Sequence, residues 1–327
     1  MPEGSGAVGR AANVECHDLH PTLADTREQA LAGLTGVRKW IEPKHFYDAH
    51  GSELFEAITR LPEYYPARTE RKILTTRAAA IADVCGTGSV LIEPGSGSCE
   101  KVRLLLEALA PRAYVPLDIS AEFLFAAAAA LGAEFPWLPV RAVCADFNDA
   151  GEVQAHLPEG RRLIFYPGST IGNLEPAAAR NFLAFLAGWL EDGGGALVGV
   201  DLHKDREILE RAYNDSAGVT AAFNLNALAS LNRLLGADFD PRAFRHHAFY
   251  DGARQRIEMH LVSEVAQTVR LGDRSIRFEA GESLHTENSY KYTVAGFRRL
   301  AAEAGLAVKE TWLDDDELFS VHYLERA

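Results

Sequence analysis

Val90-Leu91-Ile92-Glu93-Pro94-Gly95-Ser96-Gly97 decides the fold of this chain. The apolar run reads as a buried strand, and a glycine pair directly after it lets the backbone approach a ligand closely. Residues 100–110 then show helical spacing. The same alternation repeats outward. Residues 114–117 read as a strand ending at Asp118, 121–131 as an Ala-rich helix, and 140–144 as a strand ending at Asp146. Residues 162–166 form a fourth strand, followed by Gly168-Ser169-Thr170. Residues 176–190 read as a helix with Pro176 in its first turn, and 196–200 as a fifth strand. This βα alternation predicts a parallel sheet with helices on both faces, a doubly wound, Rossmann-like α/β core.

Beyond residue 204 the pattern changes. Residues 204–236 read as helices with a polar face carrying Asn214, Asn224, Asn226 and Asn232, and 246–278 as antiparallel strands. The end regains α/β character: a helix at 293–304 and strands at 308–313 and 319–325 around an acidic, solvated turn at 314–317. The expected division is a disordered tail at 1–16, a core at 69–204 plus 292–327, and a split α+β substrate lobe at 17–68 plus 205–291.

Composition narrows the function. The 327 residues are 47% apolar, enough for a large core, and the formal net charge is −13. That charge repels phosphate backbones and anionic headgroups, so neither nucleic acid nor membrane is an expected partner. No apolar run is long enough to span a bilayer. Four cysteines without a CxxC pair suit a reducing cytoplasm. There is no HExxH and no Cys/His cluster, so no metal is expected. A monomer acting on a small molecule is the expectation.

The ligand of the glycine loop follows from its carboxylates. A dinucleotide fingerprint needs glycine or alanine at position 100, where this chain has Glu100. A carboxylate there opposes a pyrophosphate. S-adenosylmethionine (SAM) has no phosphate and carries a cationic sulfonium, so Glu93 and Glu100 are compatible with it. Asp118 ends the second strand about 20 residues on, where a ribose-binding carboxylate is expected. Asp146 and Phe147, after the third strand, are placed to hold and pack against the adenine. Cys99 reads as a small packing residue beside the loop.

Longer motifs carry a family resemblance. Residues 46–55 (Phe-Tyr-Asp-Ala-His-Gly-Ser-Glu-Leu-Phe) and 61–70 (Leu-Pro-Glu-Tyr-Tyr-Pro-Ala-Arg-Thr-Glu) resemble the N-terminal signature of the L-histidine Nα-methyltransferases of ergothioneine biosynthesis. Gly168–Leu174, the segments 211–215 and 218–224, Arg256–Met259 and Thr286–Ser289 resemble further motifs of that family. The resemblance runs from about residue 40 to the end. It implies a class I SAM-dependent methyltransferase core with a split substrate lobe. It also implies successive transfers to the α-amine of histidine, giving the betaine hercynine, without a metal.

Carried over by position, the resemblance assigns Tyr64, Asn173 and Tyr213 to catalysis. Asn173 and Tyr213 would clamp the substrate carboxylate and Tyr64 would lie near its amine. Tyr47 and Phe55 become aromatic walls, Glu287 and Ser289 the imidazole-recognition pair, and Met259 a packing wall beside them. Gly95, Ser96, Gly97, Lys101, Asp118, Asp146, Phe147 and Thr170 take cofactor roles. Glu287 is expected to favour a protonated ring. The chain departs from the family pattern at Pro94, at His50 and at Asn288 with the bulky Tyr290 and Tyr292 after it, which bears on substrate tuning. Three other readings stand beside this one: a SAM-dependent N-methyltransferase for another amino acid or a histidine derivative, a nicotinamide-dependent oxidoreductase, and a catalytically silent SAM sensor.

Overall fold

The computed structural model describes residues 12–19, 23–145 and 150–327. In chain order the elements are β1 (Val14–Asp18), α1 (Leu23–Leu34), β2 (Lys39–Trp40), α2 (Ala49–Ile58), α3 (Tyr65–Cys85), β3 (Val90–Pro94), α4 (Arg103–Leu109), β4 (Ala113–Asp118), α5 (Ala121–Glu134), β5 (Val140–Cys144), α6 (Ala150–Ala155), β6 (Arg162–Tyr166), α7 (Pro176–Trp189) and β7 (Gly195–Asp201). They continue with α8 (Arg206–Tyr213), α9 (Val219–Leu235), β8 (Phe244–Asp251), β9 (Arg256–Ser263), β10 (Gln267–Leu271), β11 (Arg274–Phe278), β12 (Ser283–Tyr290), α10 (Val294–Glu303), β13 (Leu306–Leu313) and β14 (Phe319–Arg326).

Eight strands form the main sheet in the order β1-β5-β4-β3-β6-β7-β14-β13. All pairs from β1 to β7 are parallel, and β14 runs antiparallel to both neighbours. Strand order reverses between β3 and β6, so a crevice opens at their carboxyl ends. The strands are buried on both faces, which is why they read as continuous apolar runs. On one face Leu91, Leu163, Phe165 and Leu197 pack under α3, α4 and α5. On the other, Val90, Ile92, Ile164 and Val198 pack under α7 and α10. Each such side chain stabilises the fold by about 1.5–3 kcal/mol.

The lobe has its own core. Phe46, Ile58, Phe223, Leu231, Ile257 and Leu261 join α2 and α9 to the four-stranded sheet β2-β12-β9-β8. Asp48 explains the start of the first motif. Its carboxylate caps α2 by accepting from Gly51 N at 2.7 Å and takes the Asn226 amide at 2.8 Å. A Cβ on Gly51 would overlap the Phe46 carbonyl, so only glycine fits there. Asp215 caps α9, accepting from the amides of Val219 and Thr220.

Two expectations are corrected and one is sharpened. Residues 14–16 are not tail, and 17–18 are not lobe: both belong to β1, the edge strand paired with β5. The polar face expected on 204–236 is bonded within the lobe at 224, 226 and 232. Asn224 is buried and bonded to His246 and the His260 carbonyl, and Asn226 and Asn232 tie helix α9 to its neighbours. Asp314 in the acidic turn is buried and accepts from Phe319 N at 2.7 Å, closing the β13–β14 connection.

Candidate active site

The crevice at the carboxyl ends of β3 and β4 is lined by backbone and carboxylates. Gly95 and Gly97 have φ of 69° and 53°, a region that favours glycine. Gly97 N donates to Asp118 Oδ2 at 2.9 Å and Ser120 N to Oδ1 at 3.0 Å. Each Asp118 oxygen keeps a lone pair for a hydroxyl donor. Burial holds the Asp118 carboxyl above its usual range. Glu93 lies fully buried beneath the loop and accepts from Tyr114 Oη at 2.5 Å; burial pushes its pKa up to about 8. Cys99 is buried in the loop, as a packing residue should be, although with a φ of 56°.

Across the crevice, Glu70 on α3 organises the Gly168 turn. Its carboxylate accepts from Gly168 N at 2.8 Å and pairs with Lys101 Nζ at 2.6 Å. Lys101 therefore sits beside the loop with its charge already matched. The Thr170 hydroxyl turns back to the Pro167 carbonyl at 2.9 Å. This set of acceptors fits SAM. Glu70, Glu93 and Asp118 surround one ion-paired lysine, which suits a cationic sulfonium and a ribose and opposes a pyrophosphate. Asp146 and Phe147 lie outside the described residues.

An aromatic chamber lies beside this crevice. Its wall is an aromatic chain: Tyr47 meets Phe55 edge-on at 5.7 Å between centroids, Phe55 meets Tyr64 at 6.5 Å, and Tyr64 meets Tyr213 at 6.1 Å. Phe223 on α9 backs Tyr47 and Phe55 at 5.6 and 5.9 Å. Burial raises the phenols of Tyr47, Tyr64 and Tyr213 well above the usual value. Beyond burial, the Glu287 carboxyl and, less strongly, the Asp118 carboxyl help to raise the Tyr47 phenol. Among the described residues, the polar ends of Tyr47, Tyr64, Asn173 and Glu287 make no hydrogen bond.

A bulge aims the remaining wall. Along β12, His285 pairs with His260, but Glu287 pairs with Met259, so Thr286 is an extra residue. Side chains alternate along a strand, and one inserted residue exchanges the two faces beyond it. Glu287 and Ser289 thus join Met259 and Ile257 on the chamber side. Asn288 and Tyr290 go to the opposite side, bonded to Glu175 at 3.2 and 2.5 Å. Burial pushes the Glu287 carboxyl up to about 8, against the pull of Lys291.

Of the three departures noted in the sequence, Asn288 and Tyr290 therefore face away from the chamber. His50 is exposed on the outside of α2 beside Glu53. Pro94 ends β3 without disturbing its pairing with β4. Asn173 closes a short 3-10 turn that packs on β12: a Cβ on neighbouring Gly172 would lie 2.8 Å from the Tyr290 carbonyl.

Behind Ser289 lies a charged group the sequence reading missed. Lys291 is fully buried, 2.7 Å from Asp201 Oδ2, and donates to Ser289 Oγ at 2.6 Å. Asp201 also takes Lys204 at 2.5 Å and the Tyr65 hydroxyl at 2.7 Å. Burial alone would raise the Asp201 carboxyl; Lys291 and Lys204 outweigh it and hold it below the usual range. Asp201 had a signal: like Asp118, it ends a parallel strand. Glu258, His260 and His285 also converge, with ligand atoms within 4.8 Å, on the far face of β9 and β12. There the Glu258 carboxylate is held by Arg256 and by His260 Nε2.

A parallel sheet with an antiparallel strand inserted beside its last parallel one, and an acidic glycine-loop crevice beside an aromatic wall, defines a class I SAM-dependent methyltransferase. Within that class, the chain belongs to the family described as histidine-specific methyltransferase, SAM-dependent, whose profile matches residues 26–326. The chain is 48% identical to a histidine N-alpha-methyltransferase of Mycolicibacterium smegmatis, over 89% of this chain and 93% of that one. It is 45% identical to a histidine N-alpha-methyltransferase of Mycobacterium tuberculosis, over 88% and 91%. Ergothioneine biosynthesis protein 1 of Neurospora crassa is 32% identical over 86% of this chain, which spans 32% of that longer protein. No helix among the described residues is long and apolar enough to cross a membrane.

Proposed function

We propose that this enzyme methylates the α-amine of L-histidine three times, giving hercynine, the first step of ergothioneine biosynthesis. The observation that carries this reading is the placement of Glu287 and Ser289 on one strand face inside the aromatic chamber. An acid and an alcohol two residues apart reach both nitrogens of one imidazole. A phenyl or indole side chain would leave the buried Glu287 without a partner, at about 1–3 kcal/mol or more. The same arrangement argues against a nicotinamide-dependent oxidoreductase and against a silent SAM sensor.

Bound SAM supplies an electrophilic methyl group on a cationic sulfur. The chain's own contribution is mainly positioning. Asn173 and Tyr213 are uncharged donors for the substrate carboxylate. Burial keeps Tyr64 a phenol, so it orients the amine rather than deprotonating it. The uncharged walls favour a neutral amine by desolvation, and the rings of Tyr47, Phe55 and Tyr64 attract the methylammonium as it forms. We place the enzyme in the cytoplasm, in keeping with buried thiols at Cys85 and Cys99.

The test is a panel. The protein is incubated with SAM and each of the twenty amino acids, and methyl groups are counted by mass spectrometry. Three on histidine alone are expected. Equal transfer to another amino acid refutes the assignment.

A further inference from the structure

We propose that Lys291 is a positioning residue that turns the hydroxyl protons of Ser289 and Tyr213 toward the acceptor, so that the site takes the imidazole as a neutral base with its unprotonated nitrogen on Ser289. The inference rests on the histidine reading above and goes further, to the form of the substrate.

The argument is donor arithmetic. An ammonium carries three protons and no lone pair, so it only donates. Lys291 Nζ lies 2.7 Å from Asp201 Oδ2, 2.6 Å from Ser289 Oγ and 3.3 Å from Tyr213 Oη. Those three acceptors account for its three protons. Each hydroxyl must turn a lone pair to the lysine and its proton elsewhere. With no acceptor bound, Tyr213 Oη bonds Ser289 Oγ at 2.8 Å. With histidine bound, both protons point into the chamber: that of Tyr213 to the carboxylate and that of Ser289 to a ring nitrogen. A ring nitrogen that accepts is unprotonated. The other nitrogen keeps its proton and donates to Glu287, whose carboxyl offers an accepting oxygen whether or not it is ionised.

The charged and titratable groups facing this hydroxyl pair come from several elements. They are Asp201 at the end of β7, Tyr65 on α3, Lys204 before α8, Tyr64 before α3, and Glu287 with Lys291 on and after β12. Asp201 is already engaged by Lys291, Lys204 and Tyr65, and Glu287 is separated from Ser289 by one residue on the same face. Among them Lys291 is the group that touches both hydroxyls. The expectation of a protonated ring rested on Glu287 alone; this proposal takes the ring as neutral.

Two measurements test the inference. The first uses the unaltered enzyme: ¹⁵N-ring-labelled histidine is bound in the presence of S-adenosylhomocysteine at pH 6, and its ring shifts are read by NMR. One pyridine-like and one pyrrole-like nitrogen are expected. Two imidazolium-like nitrogens overturn the inference and leave the histidine reading standing; failure of histidine to bind overturns both. The second uses Lys291→Met, in which Asp201 keeps Lys204 and Tyr65. Its histidine KM is expected to rise about tenfold or more, with kcat within about threefold and S-adenosylhomocysteine affinity unchanged. In a Ser289→Ala background the same change should add no more than about threefold. Full multiplicative loss in that background means Lys291 does not act through Ser289, and the inference fails.

Discussion

The carboxylate of Glu70 fills the space that a Cβ on Gly199 would need. Glu70 comes from the long helix between lobe and core, and Gly199 from the middle of β7. The missing side chain lets a buried acid reach both the Gly168 amide and Lys101. Gly199→Ala is therefore expected to displace Glu70, costing about 1–3 kcal/mol of stability by overpacking. It should also weaken S-adenosylhomocysteine binding about tenfold, because the Gly168 turn loses its anchor. Thermal melts and calorimetry check both; an alanine variant with unchanged ligand affinity would refute the anchoring role.

Asp118 is held by two backbone amides, so its orientation does not depend on the ligand. Asp118→Ala removes the acceptors for a pair of hydroxyls. Two charge-assisted hydrogen bonds at about 1.5–3 kcal/mol each predict an increase of roughly 10²- to 10⁴-fold in the SAM dissociation constant. The histidine KM measured at saturating SAM should change little. A parallel rise in both constants argues against a role confined to the cofactor.

On the proposed reading, Glu287→Ala deletes one of the two ring contacts. The histidine KM should rise about 10- to 100-fold, with kcat within about threefold at saturating substrate, since Tyr64 and Asn173 are untouched. Steady-state kinetics with histidine varied decides it, and an unchanged KM removes Glu287 from the site.

The same residue sets a pH dependence in the ligand-free protein. Its folded pKa is about 8, above the ordinary 4.5, so the folded state holds this proton more tightly than the unfolded one. That contribution is intact below about 4.5 and is lost as pH climbs through about 8. Glu287→Gln cannot ionise. It should melt with the wild type at pH 4 and several degrees above it at pH 9, at about 2–4 °C per kcal/mol. A melting difference that stays constant with pH would contradict this.

Much of this was legible in the sequence because burial on both faces leaves an unmistakable pattern. Strands β3 to β7 lie within a residue or two of where their apolar runs place them, and Asp118 follows from the strand-end rule. Strand β1 was not legible: only Val14 and His17 are even partly buried, and an edge strand needs its partner to exist. Glu70 sat inside a quoted motif, yet its task depends on Gly199, far away in sequence. Lys291 had no local signal at all, because a lysine after a strand ordinarily faces water. The bulge at Thr286 was hidden for a related reason. Strict alternation groups His285 with Glu287, and the pairing with β9 separates them.

That single extra residue has a consequence for how this scaffold can change its diet. Deleting it would leave the downstream partners as they are, whereas straightening the strand with that residue kept in the ladder would withdraw an acid and an alcohol from the chamber and present an amide and a phenol instead. The chemistry of the wall therefore depends on where one irregularity in the ladder is held, so a slip of register there would change the clientele without any substitution in the wall itself.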